Sequence, residues 1–346
     1  MLSKIAGCLA GLALGDALGT PTQPTPEATC ARYGIITGFI TPHADDPFGH
    51  AGLRAGQITD DTQAALALVK AVIREQNFSL EIAAQALVGW LDSVDAAHSP
   101  YVGPSTKAAY AALKRGVPPT ESGLGGATNG AAMRVAPLGF LSNNLEQVAQ
   151  YAAWSAMPTH HTPLGLASAA AVAYAVTVGA DGHPPLHDVI SSAALGAEWG
   201  ARLYAGPLSF APMPNLARRI RWAVSLVQGV ERPSRNPLAW PESVWRKLRE
   251  LYDLVGAGMA AHETAPTAFA LVAWADGDPL VATLLAANLG GDGDTIGAIA
   301  GAVCGAQAGI ESISPELLSV LENVNGLNFW KLAEDYAQAV KRMEQT

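Results

Sequence analysis

A glycine stands at every fourth position of the segment Gly7-Cys8-Leu9-Ala10-Gly11-Leu12-Ala13-Leu14-Gly15-Asp16-Ala17-Leu18-Gly19. A second series with this spacing lies near the other end of the sequence, at Gly297, Gly301, Gly305 and Gly309. Residues four apart share one face of an α-helix, and each interior glycine costs about 1 kcal/mol relative to alanine. Such a stripe is best explained by a second backbone that packs very close to it. We therefore predict that the two helices meet in the centre of the fold, the alternative being a chance run in a chain rich in alanine and glycine.

Helical periodicity dominates the rest of the sequence. Apolar residues recur at helical spacing in the segments 61–75, 80–94, 145–156, 163–178, 186–204, 216–227, 241–255 and 267–274. Only residues 33–40 look strand-like, and one short strand cannot form a sheet alone, so we expect an extended surface segment there. The sequence predicts an all-α fold, a single large helical bundle.

Composition limits the domain organisation, the compartment and the partners. No linker or change of composition divides the 346 residues, so we predict a single domain over residues 1–346. The net charge of -9 argues against nucleic acid and anionic membranes as main partners, since both need a basic face. Three scattered cysteines fit a reducing compartment, with the cytoplasm as the default. Asp16 ends the apolar run 5–14 too early for a signal peptide, so we do not expect export. The apolar runs 164–180 and 296–310 fall short of the roughly 20 residues that span a bilayer, and we interpret them as core helices.

Two acidic motifs each stand directly before an apolar helical segment. The first is Thr59-Asp60-Asp61-Thr62 and the second is Gly290-Gly291-Asp292-Gly293-Asp294-Thr295. Helix capping is the structural alternative, but it needs only one acid, whereas adjacent carboxylates repel unless a cation neutralises them. An EF-hand is excluded because Val303 stands where its last ligand, a glutamate, belongs. Together the motifs form a hard-oxygen set suited to two Mg²⁺ or Mn²⁺ ions, which could activate water for hydrolysis.

Two further motifs carry weaker signals. The stretch Ser122-Gly123-Leu124-Gly125-Gly126-Ala127-Thr128-Asn129-Gly130 lacks the spacing of the standard nucleotide loops. Its backbone N–H groups could still hold a diphosphate, the alternative being a plain loop. The stretch Thr159-His160-His161-Thr162-Pro163 precedes a buried helix, where paired histidines usually form structural hydrogen bonds. Zinc would need three or four ligands, which this stretch does not provide.

These segments, in this order, resemble the ADP-ribosylglycohydrolase family, which includes the dinitrogenase-reductase-activating glycohydrolases. The resemblance implies an orthogonal all-α fold with a binuclear Mg²⁺ or Mn²⁺ centre in a cleft. It also implies cleavage of the N- or O-glycosidic bond between ADP-ribose and a protein side chain or small acceptor. The implied metal ligands are Thr59, Asp60, Asp61, Asp292, Asp294 and Thr295, with one of the four aspartates serving as proton acceptor. The implied substrate contacts are Gly125, Gly126, Asn129 and His160.

The sequence departs from the family pattern at two places. Many members carry a glutamate where this chain has Gln23, a predicted substrate contact that cannot act as an acid or base. Tyr101 replaces an acidic residue of the nitrogenase-linked members, and no aromatic partners that could clamp an adenine are obvious. Two alternatives therefore stay open: a hydrolase of a smaller N-ribosyl compound such as a nucleoside, and a catalytically silent relative. We expect the loops 41–57 and 204–216 to influence specificity.

Overall fold

The computed structural model describes residues 1–206 and 213–345, so part of the loop 204–216 lies outside the described residues. This part of the chain contains 17 α-helices, three short 3₁₀ turns and no strand. The helices, in chain order from α1 to α17, are Leu2–Gly19, Pro26–Tyr33, Asp60–Glu75, Leu80–Ser93, Pro104–Lys114, Pro119–Ser122, Gly130–Arg134, Leu145–His160, Pro163–Ala180, Leu186–Arg202, Leu216–Ser225, Glu242–Leu254, Ala261–Trp274, Pro279–Leu289, Gly293–Ala308, Pro315–Asn325 and Phe329–Met343. The prediction of an all-α fold is confirmed.

The two glycine stripes bring α1 and α15 together as an antiparallel pair in the core. A Cβ placed on Gly11 would lie only 2.1 Å from the carbonyl oxygen of Gly301, far inside van der Waals contact. The same close approach recurs one turn away in each direction, at the pairs Gly7–Gly305 and Gly15–Gly297. Only glycine permits backbones this close. The predicted meeting of the two chain ends is confirmed.

A second close helix pair forms beside the first. Helix α9 is almost entirely buried, and its alanines leave room for neighbouring backbones. In α10, a Cβ on Gly196 would lie 2.4 Å from the Ala170 carbonyl oxygen, and one on Gly200 would lie 2.3 Å from that of Leu166. Small residues therefore shape both central contacts of the core.

Two helices, Leu2–Gly19 and Pro163–Ala180, are long and apolar enough to cross a membrane by length and composition alone. In each of them 83% of the apolar window is buried inside the protein. Buried core helices commonly meet this criterion, so it is weak support for a membrane span.

Of the differences from the sequence-based expectations, two have a clear physical cause. Residues 34–40 form neither a strand nor a plain surface segment, because Ile36 is fully buried and the side chain of Asn288 hydrogen-bonds its N–H and its carbonyl, each at 2.9 Å. The helix expected from residue 267 begins at Ala261 and runs through Pro266. Proline cannot donate to the carbonyl four residues earlier, and that carbonyl, of His262, instead accepts from Arg219 Nε at 2.7 Å.

Candidate metal centre

The two acidic motifs form the first turns of two helices that face one cavity. Asp60 and Asp61 open α3, and Asp294 lies in the first turn of α15, after Asp292 at the N-cap position. Neither N-cap residue, Thr59 or Asp292, makes a side-chain capping hydrogen bond. Helix capping therefore does not account for these acids. The positive ends of both helix dipoles favour negative charge at this place.

A fifth carboxylate, that of Asp16 in α1, holds the first motif in position. Asp16 is fully buried, and its carboxylate accepts hydrogen bonds from the backbone N–H and the hydroxyl of Thr59, at 3.0 and 2.8 Å. The Asp16 carboxylate also accepts hydrogen bonds from the backbone N–H and the hydroxyl of Thr62, at 3.1 and 2.5 Å. Burial raises the pKa of Asp16, and these hydrogen bonds oppose the shift. The sequence motifs did not reveal Asp16, although its position directly after Gly15 in a buried stripe marks it as an unusual core acid.

The second motif is held by its own contacts. Asn129 Nδ2 donates to Asp292 Oδ2 and, at 2.9 Å, to Thr264 Oγ1. Asp294 Oδ1 accepts a hydrogen bond from the backbone N–H of Thr295 at 2.9 Å. Asp294 Oδ2 takes no part in this hydrogen bond. A Cβ on Gly19 would lie 2.3 Å from Asp294 Cα, so the glycine stripe of α1 sets how closely this acid approaches the first motif.

The convergence of these carboxylates is electrostatically unfavourable without a counter-ion. Burial raises the pKa of Asp60 well above its usual range, and the charges of Asp61 and Asp16 add to the shift. Burial is also the main cause for Asp61 and Asp294, whose pKa values are raised further by neighbouring carboxylates. Burial raises the pKa of Asp292 as well. Among the described residues that line the cavity there is no lysine or arginine, so a bound cation is the natural source of compensating charge.

The donor chemistry fits a hard divalent ion. The donors are carboxylate and hydroxyl oxygens, which suit Mg²⁺ or Mn²⁺, and Asp61 Oδ1 is buried without a hydrogen-bond partner. Within residues 1–206 and 213–345, no three His, Cys, Asp or Glu side chains are already grouped closely enough to hold a metal ion. Side-chain rotation would have to bring these carboxylates closer together for them to hold an ion.

A small cavity of about 70 Å³ lies between the motifs. It brings together Asn129 and five of the six predicted metal ligands, namely Asp60, Asp61, Asp292, Asp294 and Thr295. The sixth, Thr59, is buried behind it against Asp16. A larger groove of about 610 Å³ lies on α3 and α4, but none of these carboxylates lines it, so size alone does not locate the site.

Aromatic side chains also line the cavity, contrary to the expectation from sequence. Phe48 and Tyr101 contribute to its wall, together with Met133 and Met259. Phe48 comes from the loop 41–57, and Tyr101 lies just before α5, so sequence distance concealed that both reach one site. Aromatic faces are surfaces on which a nucleobase can stack.

Four predicted substrate contacts do not line the cavity, namely Gln23, Gly125, Gly126 and His160. The side-chain amide of Gln23 donates to the Thr22 carbonyl at 3.0 Å. The backbone carbonyl of Gln23 accepts a hydrogen bond from the backbone N–H of Gly291 at 2.8 Å. Gln23 thus connects the end of α1 to the second acidic motif.

The two glycines of the predicted diphosphate loop have different surroundings. Gly125 is exposed, with open space where a Cβ would stand. Gly126 is buried, and a Cβ there would lie 2.2 Å from the Thr159 carbonyl oxygen. A close backbone approach therefore explains Gly126 without any ligand, while Gly125 is free for contact from solvent.

His160 lies beneath the cavity wall, in a chain of hydrogen bonds that begins at buried Arg134. Arg134 donates to the hydroxyl of Thr159 at 2.7 Å, and that hydroxyl lies 2.7 Å from His160 Nδ1. Burial, and after it the charge of Arg134, lowers the pKa of His160 well below its usual range. A neutral ring that accepts at Nδ1 carries its proton on Nε2, which lies 2.8 Å from Thr128 Oγ1. Thr128 lines the cavity, and its hydroxyl proton is then free to be donated to a ligand.

His50 is a further cavity residue that no sequence motif indicated. It belongs to the loop 41–57, only 3% of its surface is exposed, and it lines the cavity. Its Nε2 lies 3.3 Å from Asp294 Oδ2, and its Nδ1 lies 3.0 Å from the carbonyl oxygen of Thr20. An isolated histidine in a loop has no sequence pattern that would place it at an acidic helix start.

Comparison with known proteins agrees with the resemblance seen in the motifs. A sequence profile described as ADP-ribosylglycohydrolase matches residues 1–346. An uncharacterised protein of Escherichia coli K12, YegU, is 34% identical over 348 residues, covering 99% of this chain and 97% of that protein. Human ADP-ribosylhydrolase ARH3 is 28% identical over 338 residues, covering 90% of this chain and 87% of that protein. A solved structure of an ADP-ribosylglycohydrolase-related protein complex shares the fold, with a TM-score of 0.65 at 24% identity, covering 99% of this chain and 98% of that one.

Proposed function

The chain belongs to the ADP-ribosylglycohydrolase family, and we propose that it is a metal-dependent hydrolase of the glycosidic bond between ADP-ribose and a protein side chain or small acceptor. The family and the ARH3 relatives indicate a glycosyl hydrolase. The observation that carries the finer proposal is the convergence of four carboxylates, Asp60, Asp61, Asp292 and Asp294, on one cavity from two helix starts.

Two divalent ions held by these carboxylates and by Thr295 would polarise substrate oxygens and lower the pKa of a water molecule. The surrounding residues of the chain keep the donors aligned. Asp16 fixes Thr59 through two hydrogen bonds, and Asn129 fixes Asp292. One of the four aspartates would take up the proton of the attacking water, and this proton would pass to the departing acceptor atom as the glycosidic bond breaks.

The cavity wall supports an ADP-ribosyl ligand in two ways. Phe48 and Tyr101 offer ring faces for the adenine, and Thr128 offers a hydroxyl donor for a phosphate or ribose oxygen. We therefore infer that His160 acts on the substrate through Thr128 rather than by direct contact. Gly125, which is exposed, is available for the diphosphate.

A smaller ribosylated ligand is the second candidate. The cavity of about 70 Å³ is well below the roughly 300 Å³ at which small-molecule sites usually begin. Gln23, in place of the family glutamate, also lacks an acid–base function. A hydrolase for a nucleoside-type N-ribosyl compound would need only the ribose portion of the site, whereas ADP-ribose requires its wall to open.

The test is calorimetric titration of the Mg²⁺-loaded protein with ADP-ribose, alongside release of ADP-ribose from peptides modified on serine or arginine. We expect binding by the native protein, and its loss in Asp292→Asn and Asp294→Asn. Asp181→Asn is the matched control, because Asp181 is exposed at the end of α9, and it should bind as the native protein does. Metal binding without ADP-ribose binding would favour the nucleoside-type substrate.

A catalytically silent relative is the third possibility, and the same titration addresses it. Absence of Mg²⁺ and Mn²⁺ binding would support that reading. The single-domain organisation, the cytoplasmic location and the absence of nucleic-acid and membrane partners stay predictions from composition.

A further inference from the structure

His50 is held rigidly at the edge of the acidic cluster. The carboxylate of Asp46, whose side chain is fully buried, accepts from the backbone N–H of Phe48 at 2.9 Å and from that of His50 at 3.0 Å. Gly49 between them has a φ of +87°, and a Cβ there would meet Pro100 at 2.8 Å. The turn places His50 at the cavity, and the contact of its Nδ1 with the Thr20 carbonyl, at 3.0 Å, orients the imidazole there.

The hydrogen bonds of the ring indicate which nitrogen carries the proton. A carbonyl oxygen can only accept, so the 3.0 Å contact between Nδ1 and the Thr20 carbonyl places a proton on Nδ1. The other ring nitrogen, Nε2, faces the cavity and lies 3.3 Å from Asp294 Oδ2. Both atoms can bind one positive centre, either a proton or a metal ion, and the carboxylates around them favour a metal ion.

On this basis we propose that His50 Nε2 is a nitrogen ligand of the metal centre, beside Asp294 Oδ2. The inference rests on the proposed metal dependence. A histidine that ligates a metal usually donates its other ring N–H to a backbone carbonyl or a carboxylate, and the Thr20 carbonyl supplies that acceptor for His50 Nδ1. Adjacent ligands of an octahedral ion with bonds of about 2.1 Å lie about 3.0 Å apart, close to the observed separation.

The proposal changes the expected metal preference of the site. Carboxylate and hydroxyl oxygens alone favour Mg²⁺, whereas an imidazole nitrogen adds affinity for first-row transition ions. His50 would therefore give this chain a mixed nitrogen and oxygen centre. Gln23 stands at the position of the family glutamate, but its side chain donates to the Thr22 backbone carbonyl and does not line the cavity.

The experiment is pulsed electron paramagnetic resonance of the Mn²⁺-loaded full chain, with Mn²⁺ itself as the probe. We expect a ¹⁴N coupling of a directly bound imidazole, which changes to the ¹⁵N pattern when histidine is labelled with ¹⁵N. The coupling should vanish in His50→Gln and persist in His183→Gln, a control at an exposed histidine. Calorimetry should show Mn²⁺ binding weakened by about tenfold or more in His50→Gln, with a smaller change for Mg²⁺.

Each outcome bears on the proposal separately from the function. Stoichiometric Mn²⁺ binding without a nitrogen coupling in the native protein would overturn the ligand role and leave His50 as a hydrogen-bond partner of Asp294; this result needs no variant to fold. A coupling that survives in His50→Gln would also overturn it. Failure of the native protein to bind Mn²⁺ at all would overturn the metal dependence of the proposed function as well.

Discussion

Replacement of Gly11 by alanine should separate the central helix pair. The added Cβ would lie 2.1 Å from the Gly301 carbonyl oxygen, whereas ordinary contact begins near 3.4 Å. The Cβ is fixed to the backbone of α1 and the oxygen belongs to the backbone of α15, both buried helices. No side-chain rotation can therefore relieve the overlap. The helices must move apart, which also loosens the neighbouring contact between Gly15 and Gly297.

The size of the effect follows from two opposing terms. Overpacking a core typically costs about 1–3 kcal/mol, and a clash between two backbones falls at or above the upper end of that range. Alanine returns about 1 kcal/mol through its higher helix propensity. We therefore expect Gly11→Ala to lower the free energy of unfolding by about 2 kcal/mol or more.

Urea denaturation followed by circular dichroism measures this change, and two other glycines provide the controls. Gly89 in α4 is exposed, with open space where an added methyl group would stand, so Gly89→Ala should stabilise by up to about 1 kcal/mol. Gly179 in α9 is buried, but its Cβ would meet the nearest atom at 3.6 Å, so alanine should be tolerated there. A Gly11→Ala protein as stable as Gly89→Ala would refute the close-approach explanation of the stripe.

Two further predictions concern the site. Burial raises the pKa of Asp61 well above 3.8, so in metal-free protein its stabilising contribution is full below pH 3.8 and is lost as the pH rises through the folded-state value. Melting curves should therefore show metal-free protein losing stability toward neutral pH and regaining it with Mg²⁺. Asp61→Asn should be more stable than native protein without metal at neutral pH and insensitive to Mg²⁺, while Asp181→Asn matches the native protein. His160→Phe should weaken ADP-ribose binding by up to about tenfold, because Thr128 loses the partner that orients its hydroxyl proton toward the ligand, with Mg²⁺ affinity unchanged; equal loss of both would contradict the hydrogen-bond chain.

Features that depend on local spacing were predictable from the sequence. The glycine stripes have a period that identifies one helix face, so the meeting of the two helices was predictable, whereas the register that pairs Gly11 with Gly301 is seen only in the structure. Most helix positions also follow from apolar periodicity, as for Leu80–Ser93, predicted as 80–94. Helix α13 begins earlier than predicted and continues through Pro266. This is possible because Arg219, distant in sequence, donates to the His262 carbonyl that Pro266 leaves without a partner. A local pattern carries no information about such a partner.

The carboxylates were predictable as a group because each motif concentrates acids where helix capping needs only one. The groups that surround them were not, since Asp16 lies inside an apolar helix and His50 in a loop without any repeated pattern. The fold explains why these groups come together. The stripe that packs Gly15 on Gly297 continues to Gly19, which packs on the backbone of Asp294. The same helix carries Asp16 to the start of α3. The register of α1 against α15 therefore fixes the separation of the two acidic motifs, so a substitution that shifts this register should weaken metal binding even where no ligand is changed.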